Sequence, residues 1–354
     1  MIDKSLVDAV MTMIGDSVRG HSGIDDEGFE SLAVEIAAAQ GRLRRTSPLS
    51  ANLRGLDKIE PLPETAFKMM TVAQFPPSEA VAEFRTSGTS SENRGRLPVL
   101  DMEIYKASAL AGFELFCMHD DPPTRFMSLI PPASARPDSS LSWMATFLVE
   151  KFDDGLGGFV AGTQGLDPDG MLSILSRSVS DGSRVFLLGT SLDFLSLFEF
   201  LVMNATPIPL PAGSRLMHTG GPKASGRSIT PRQLAADAGR LLGIAPQDVI
   251  EEFGMTELFS QAYDSPRISG VPGRLIPVPW MRTRVIDPRT MKDVPDGERG
   301  LLVHYDLACC HTCVAIMAAD TATRSGNGFC DIRRAAGAAA RGCSRNAAPR
   351  PGGA

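Results

Sequence analysis

Apolar positions recur at helical spacing through residues 4–45. Leu6, Val7 and Val10 share one face, and the run 29–40 supplies a second amphipathic stretch. Pro61 and Pro63 mark a loop, and a helix is expected from Ser78 to Phe84, running into a Ser/Thr/Gly loop at 86–91. Residues 101–117 read as a helix, and Phe126–Ile130 as a strand ended by Pro131-Pro132. Arg184–Leu188 reads as a buried strand that leads into an apolar helix at 191–203. Leu216–Thr219 reads as a strand stopped by Gly220-Gly221-Pro222, and Thr230–Leu242 as a helix with Thr230 at its N-cap.

Beyond about residue 265 the period changes from helical to alternating. Arg282–Ile286 and Leu301–Tyr305 read as strands around the Asp296-Gly297 hairpin signal. The pattern predicts an α/β body over 1–265, a β-rich subdomain over 266–307, and a segment over 308–354 whose Cys/Ala/Arg-rich composition is unlike a packed domain. Ala335–Ala354 is expected to be poorly ordered. No internal repeat is visible.

Composition narrows the function classes. A 43% hydrophobic, 21% charged chain is of ordinary globular type, and a net charge of −6 disfavours a nucleic-acid partner. An anionic substrate would need local help from backbone donors or Mg²⁺. No secretory signal is evident, and the most apolar region, Val185–Leu210, is broken by Asp193, Glu199 and prolines, so no membrane span is expected and the cytoplasm is the default. Cys117 stands alone, whereas Cys309, Cys310, Cys313, Cys330 and Cys343 cluster late in the chain. Reduced thiols point to metal binding or nucleophilic chemistry.

Three segments carry candidate chemistry. The first is Thr86-Ser87-Gly88-Thr89-Ser90-Ser91 with Arg94 and Arg96 following. Small hydroxyl residues around a glycine let amides and hydroxyls close on phosphate oxygens while the arginines add charge. It is not a Walker A loop, because Asn93 stands where the second glycine would be and no Gly-Lys-Ser/Thr follows. The second is Glu252-Phe253-Gly254-Met255-Thr256-Glu257, which combines an aromatic ring, a glycine for close approach, a hydroxyl and a metal-competent carboxylate. The third is His218-Thr219-Gly220-Gly221-Pro222-Lys223, a strand end opening into a glycine turn, where ligands gather in α/β sheets. Read singly, they are equally a linker, a strand-to-helix turn and a tight turn.

Taken in order over roughly residues 80–345, the three segments resemble the adenylate-forming superfamily of acyl-CoA synthetases, luciferases and peptide-synthetase adenylation domains. Phe253-Gly254-Met255-Thr256-Glu257 matches that superfamily's aromatic-Gly-x-Thr-Glu motif, and Asp296-Gly297-Glu298-Arg299-Gly300-Leu301 looks like its hairpin before a ribose-binding aspartate. Within it, Pro137-Asp138-Ser139-Ser140-Leu141, His304-Tyr305-Asp306-Leu307-Ala308 and Arg341-Gly342-Cys343-Ser344 are most similar to the acyl-protein synthetases of the bacterial luminescence fatty-acid reductase type.

The resemblance implies a large adenylate-forming N-terminal body of mixed sheets and helices, a β-rich subdomain and a much reduced C-terminal segment. It also implies ATP and Mg²⁺ as cofactors, a carboxylic acid substrate of fatty type, and an acyl reductase or acyl-carrier partner. Thr86, Ser87, Gly88, Thr89 and Ser90 would grip the departing phosphates, Thr256 the α-phosphate, and Glu257 the metal. Gly220, Gly221 and Pro222 would border the adenine with Phe253 and Gly254, Asp320 would hold the ribose, and Cys343 would accept the acyl group. Arg341 and Arg345 would lower the pKa of that thiol.

The chain departs from the superfamily pattern twice. Ala318-Ala319-Asp320 stands in place of Thr-Gly-Asp, and no lysine follows Lys292 to serve a C-terminal lid. Other chemistries fit less well: Cys310-His311-Thr312-Cys313 with Cys330 and Cys343 has poor spacing for a zinc site, and no Gly-x-Ser-x-Gly elbow is present. An acid–CoA or aryl-acid ligase, and a catalytically weakened nucleotide-binding or scaffold protein, remain open alternatives.

Overall fold

A computed structural model describes residues 3–20, 25–44, 53–86, 94–163, 165–220 and 227–335. Helices α1 (Lys4–Val18), α2 (Asp26–Ala39), α3 (Met102–Cys117) and α4 (Ser140–Phe152) precede α5 (Pro168–Asp181), α6 (Ser191–Met203) and α7 (Pro231–Leu242). Their starts follow local chemistry. Asp101 and Ser139 cap the first free amides of α3 and α4. Thr190 with Asp193, and Thr230 with Gln233, close reciprocal capping boxes on α6 and α7.

Seven strands form the larger sheet: β4 (Arg125–Ser128), β5 (Gly158–Phe159), β6 (Val185–Thr190), β7 (Arg215–Thr219), β8 (Val249–Phe253), β9 (Ala262–Asp264) and β10 (Ile276–Pro277). They come after β1 (Leu62–Pro63), β2 (Ala82–Arg85) and β3 (Arg96–Val99) in the chain. The spatial order is β10-β9-β8-β7-β6-β4-β5, parallel from β8 to β5 and antiparallel at the β8–β9–β10 edge. Side chains alternate across it as strand geometry requires. Phe126, Phe186, Met217 and Ile250 join the core with α3 and α4, whereas Met127, Leu187, Leu216 and Val249 pack with α5, α6 and α7. The stretch 185–210 is thus mostly a buried strand and a helix of this second cluster.

A second, five-stranded sheet holds β11 (Met281–Ile286), β12 (Arg299–Asp306), β13 (Ala315–Ser325) and β14 (Gly328–Arg334), with β1 along β13. Two expectations change here. Residues 78–84 do not form a helix; Pro77–Glu79 is a single 3-10 turn, and 82–85 pair antiparallel with 96–99 as the β2–β3 hairpin. The β-rich part also runs past 307. β13 buries Ile316, Ala318, Asp320 and Ala322 in strict alternation, using small side chains that give little sequence signal. Gln40, at the end of α2, pins the preceding loop: it donates to the carbonyls of Cys309 and Cys310 and accepts from the Val314 amide. Among the described residues no helix is long and apolar enough to cross a membrane.

Candidate active site

Parallel strands β6, β7 and β8 end at one edge of the larger sheet, with Thr190 beside Thr219 and Thr219 beside Glu252. Gly220 comes next at φ +83°, a conformation that suits glycine. Its carbonyl is held by the Ser191 hydroxyl at 2.7 Å, and the same hydroxyl lies 3.1 Å from His218 Nδ1. Burial lowers the His218 pKa to about 4, so the ring is neutral near pH 7. Ser191 escapes a reading of the sequence because its role depends on a contact from α6 to the strand beside it. Gly221 and Pro222 lie outside the described residues.

Phe253 closes β8. Its ring stacks on His304 at 5.5 Å and meets Phe329 edge-on at 5.4 Å, so the aromatic of the motif joins the two sheets. At Gly254 a Cβ would stand 2.6 Å from Glu252 Oε1, so a larger residue there would require the Glu252 carboxyl to shift. Leu258 N then bonds Met255 O at 3.1 Å, closing a turn with Thr256 half-buried and Glu257 buried.

Asp306 fixes the segment from Phe259 onward. One carboxylate oxygen accepts the Phe259 and Ser260 amides, each at 2.9 Å; the other accepts the Ser260 hydroxyl at 2.6 Å and the Ala308 amide at 3.0 Å. The Cys309 thiol bonds Asp306 at 3.3 Å and lies 3.6 Å from the Glu257 carbonyl. Burial raises the Asp306 pKa while these donors pull it back down. The aspartate of His304-Tyr305-Asp306-Leu307-Ala308 is therefore a clamp on the residues that directly follow the Thr256-Glu257 turn.

The phosphate-loop candidate is carried by the β2–β3 hairpin. Thr86 and Gly95 close its base: Thr86 N donates to Gly95 O at 3.0 Å and Gly95 N to Thr86 Oγ1 at 2.8 Å. A Cβ placed on Gly95 would stand 3.0 Å from Thr86 Cγ2 and 3.6 Å from Glu257 Oε1. The structure thus brings Thr86, Gly95 and the Glu257 carboxylate together. Ser87, Gly88, Thr89 and Ser90 lie outside the described residues.

Arg94, expected from sequence to add charge to the loop, bonds within the protein. Its Nε donates to Thr86 O at 2.5 Å, Nη2 to Arg85 O at 3.1 Å and Nη1 to Asp138 at 2.8 Å. It is the brace of the loop, and Arg96 is exposed on β3.

Asp320 lies on β13 and is buried. Arg334 donates to it at 3.0 Å and to Glu64 at 2.5 Å, while Glu64 also accepts the Ala319 amide. Neither Arg334 nor Glu64 is expected from sequence, since they are 270 positions apart. Cys343 lies outside the described residues. Burial raises the pKa values of Cys309, Cys310 (to about 12) and Cys313, leaving them protonated and unreactive near neutrality. Among the described residues no three His, Cys, Asp or Glu side chains are grouped to hold a metal, so Cys310, Cys313 and Cys330 do not assemble a zinc site there.

No protein-family model matches the sequence, and no curated protein is significantly similar to it. Solved structures do resemble the fold. One is 2-hydroxyisobutyryl-CoA ligase in the postadenylation state with 2-HIB-AMP, at 14% identity and TM-score 0.61 over 88% of this chain and 68% of that one. The same ligase with 2-HIB-AMP and CoA in the thioesterification state gives 16% identity and TM-score 0.57 over 93% and 67%. ATP-bound MatB from Rhodopseudomonas palustris gives 16% identity and TM-score 0.52 over 74% and 49%, so the chain spans about half the length of MatB. By structure, the chain has the adenylate-forming ligase fold.

Proposed function

We propose that this chain activates a carboxylic acid as its acyl-adenylate and passes the acyl group to a thiol. The observation that carries this proposal is the meeting of the Thr86–Gly95 loop base with the Glu257 carboxylate, at the strand edge where Gly220 and Phe253 end their strands. Its fold-level support is the likeness to ligases solved with an acyl-AMP and with ATP.

In the proposed reaction a carboxylate oxygen bonds to the α-phosphorus of ATP as the bond from that phosphorus to the bridging β-oxygen breaks, and pyrophosphate leaves. Such a step depends mainly on positioning and charge neutralisation. Thr86 and Ser87, Gly88, Thr89 and Ser90 would grip the departing phosphates, Thr256 would contact the α-phosphate, and Gly220, Gly221, Pro222, Phe253 and Gly254 would border the base. Asp320, held together with Glu64 by Arg334, would meet the ribose. Glu257 would hold Mg²⁺, which draws most of its ligands from water and phosphate oxygens, so one protein carboxylate facing the loop base fits it. Bound there, the ion supplies charge neutralisation.

The finer proposal is an acyl-protein synthetase: a fatty acid is activated, Cys343 takes the acyl group, and an acyl reductase or carrier protein receives it in the cytoplasm. A CoA ligase is the second reading, favoured by the likeness to a ligase solved with CoA. Incubation of the chain with ATP, Mg²⁺, coenzyme A and a panel of labelled acids, read by the intact mass of the chain and by label recovered on coenzyme A, separates them. An acyl adduct lost in Cys343→Ala supports the first, label on coenzyme A supports the second, and no turnover of any acid contradicts both.

A further inference from the structure

Glu252 stands immediately before the aromatic-Gly-x-Thr-Glu segment, and the proposed chemistry gives it no role. Its side chain is buried. On one side Thr219 lies opposite in the parallel β7–β8 register, near enough for its side chain to pull the Glu252 pKa down. On the other side the carboxyl rests on the Gly254 backbone, where a Cβ would stand 2.6 Å from Oε1. The same Cβ position is 3.7 Å from Gln261 Cγ, and Gln261 Oε1 is buried with no hydrogen-bond partner among the described residues. Thr219 leads directly into Gly220, and Gly254 opens the turn that carries Thr256 and Glu257. One carboxyl therefore lies beside the roots of both turns.

We propose that Glu252 is a positioning residue that ties the Thr219–Gly220 turn to the Gly254–Glu257 turn and holds them at the spacing a nucleotide requires. The inference rests on the proposed nucleotide site and deepens it. Among the described residues, Thr219 from β7 and Glu251 on its own strand act on Glu252, while Glu252 in turn raises the pKa values of Tyr105 and Cys117 from α3 and of Tyr263 from β9; none of these groups is a cation. Burial lifts its pKa to about 7, Thr219 pulls it down and Glu251 adds to the rise. The tie thus changes charge near neutrality, and its ionised form adds negative charge beside the edge offered to a polyphosphate.

ATP affinity of the full chain with Mg²⁺, measured by calorimetry from roughly pH 6 to roughly pH 8 at constant ionic strength, tests this. The expected wild-type affinity falls about three- to tenfold as pH rises across that range, beyond the titration of ATP itself seen in every variant. Glu252→Gln should flatten the excess pH dependence. Glu252→Ala and Thr219→Val should each weaken binding about tenfold at every pH, and Thr219→Ser should restore it. Glu251→Gln, on the opposite face of the strand, should keep a pH dependence of the same size with its midpoint moved to lower pH, because Glu251 helps raise the Glu252 pKa. Melting temperatures identify which variants fold; if Glu252→Ala does not, Thr219→Val and Glu252→Gln carry the test. Folded variants that bind ATP like wild type at every pH, or a pH dependence removed by Glu251→Gln instead, would overturn the proposal. A wild-type chain that binds no ATP at any pH overturns the nucleotide site itself.

Discussion

Arg94 and Asp138, 44 positions apart in sequence, form an ion pair at 2.8 Å that closes the base of the hairpin loop beginning at Thr86. The same guanidinium holds the Arg85 and Thr86 carbonyls, so one side chain fixes where the loop starts and to which helix it is moored. Asp138 lies next to Ser139, the N-cap of α4, so the described base at Thr86 and Gly95 is tied to that helix. A lysine offers one point charge in place of this planar fork. Arg94→Lys should cost about 1–2 kcal/mol in ATP binding, with a smaller change in global stability. Parallel calorimetric titration and thermal melting check this, and equal losses in both would mean that Arg94 supports the fold without specific regard to the loop.

Asp306 makes a stronger case, because it is fully buried and all its donors come from the protein. Asp306→Asn turns one acceptor oxygen into a donor facing the Phe259 and Ser260 amides. A loss of about 3 kcal/mol or more in unfolding free energy is expected. Denaturant titration measures it, and a near-neutral result would contradict the clamp.

His218 gives a pH signature. Its pKa falls from 6.5 unfolded to about 4 folded, through burial. The unfolded chain binds the extra proton between those values, so stability from this group is complete above about pH 6.5 and is lost as pH falls toward 4. The full effect is on the order of 3 kcal/mol. The buried carboxyls of Glu251 and Glu252, both raised to about 7, act in the opposite sense as pH rises from 4.5 to 7. His218→Asn should make the chain less sensitive to acid than wild type over that lower window, as read by urea unfolding at several pH values. An unchanged acid slope would contradict a neutral buried ring.

Thiol accessibility is also fixed by the fold. Cys117, Cys309, Cys310 and Cys313 are buried and free, and Cys330 is half-buried. Under native conditions near pH 7.5, alkylation followed by peptide mass mapping should leave the four buried thiols unmodified on a timescale that labels them fully in urea. Rapid native labelling of Cys310 or Cys313 would contradict their placement.

Much of this architecture is legible in sequence wherever a local rule and the tertiary fold agree. Thr230 announces a helix that the apolar period then continues, and Gly220 marks the end of β7. The departure at 78–84 has a plain cause: Ser78-Glu79-Ala80-Val81-Ala82-Glu83-Phe84 contains helix formers, but pairing with 96–99 buries Phe84 against Tyr105 and outweighs propensity. The stretch after 308 reads as unlike a packed domain because alanines and cysteines fill β13 and its loop, and small side chains carry weak periodicity. At the candidate site the backbone motifs are readable, whereas their supports are not. Ser191, Asp306, Arg334 and the binding of Arg94 to Asp138 each depend on a partner far away in sequence.

The central claim is that the Glu257 carboxylate and the Thr86 loop serve one triphosphate. Exchange of labelled pyrophosphate into ATP, driven by a panel of carboxylic acids, tests it most directly. Wild type and Cys343→Ala should both support exchange with at least one acid, and Glu257→Ala should lose it by about a hundredfold or more, on the order of 3 kcal/mol in the barrier. Exchange that survives intact in Glu257→Ala would contradict the account.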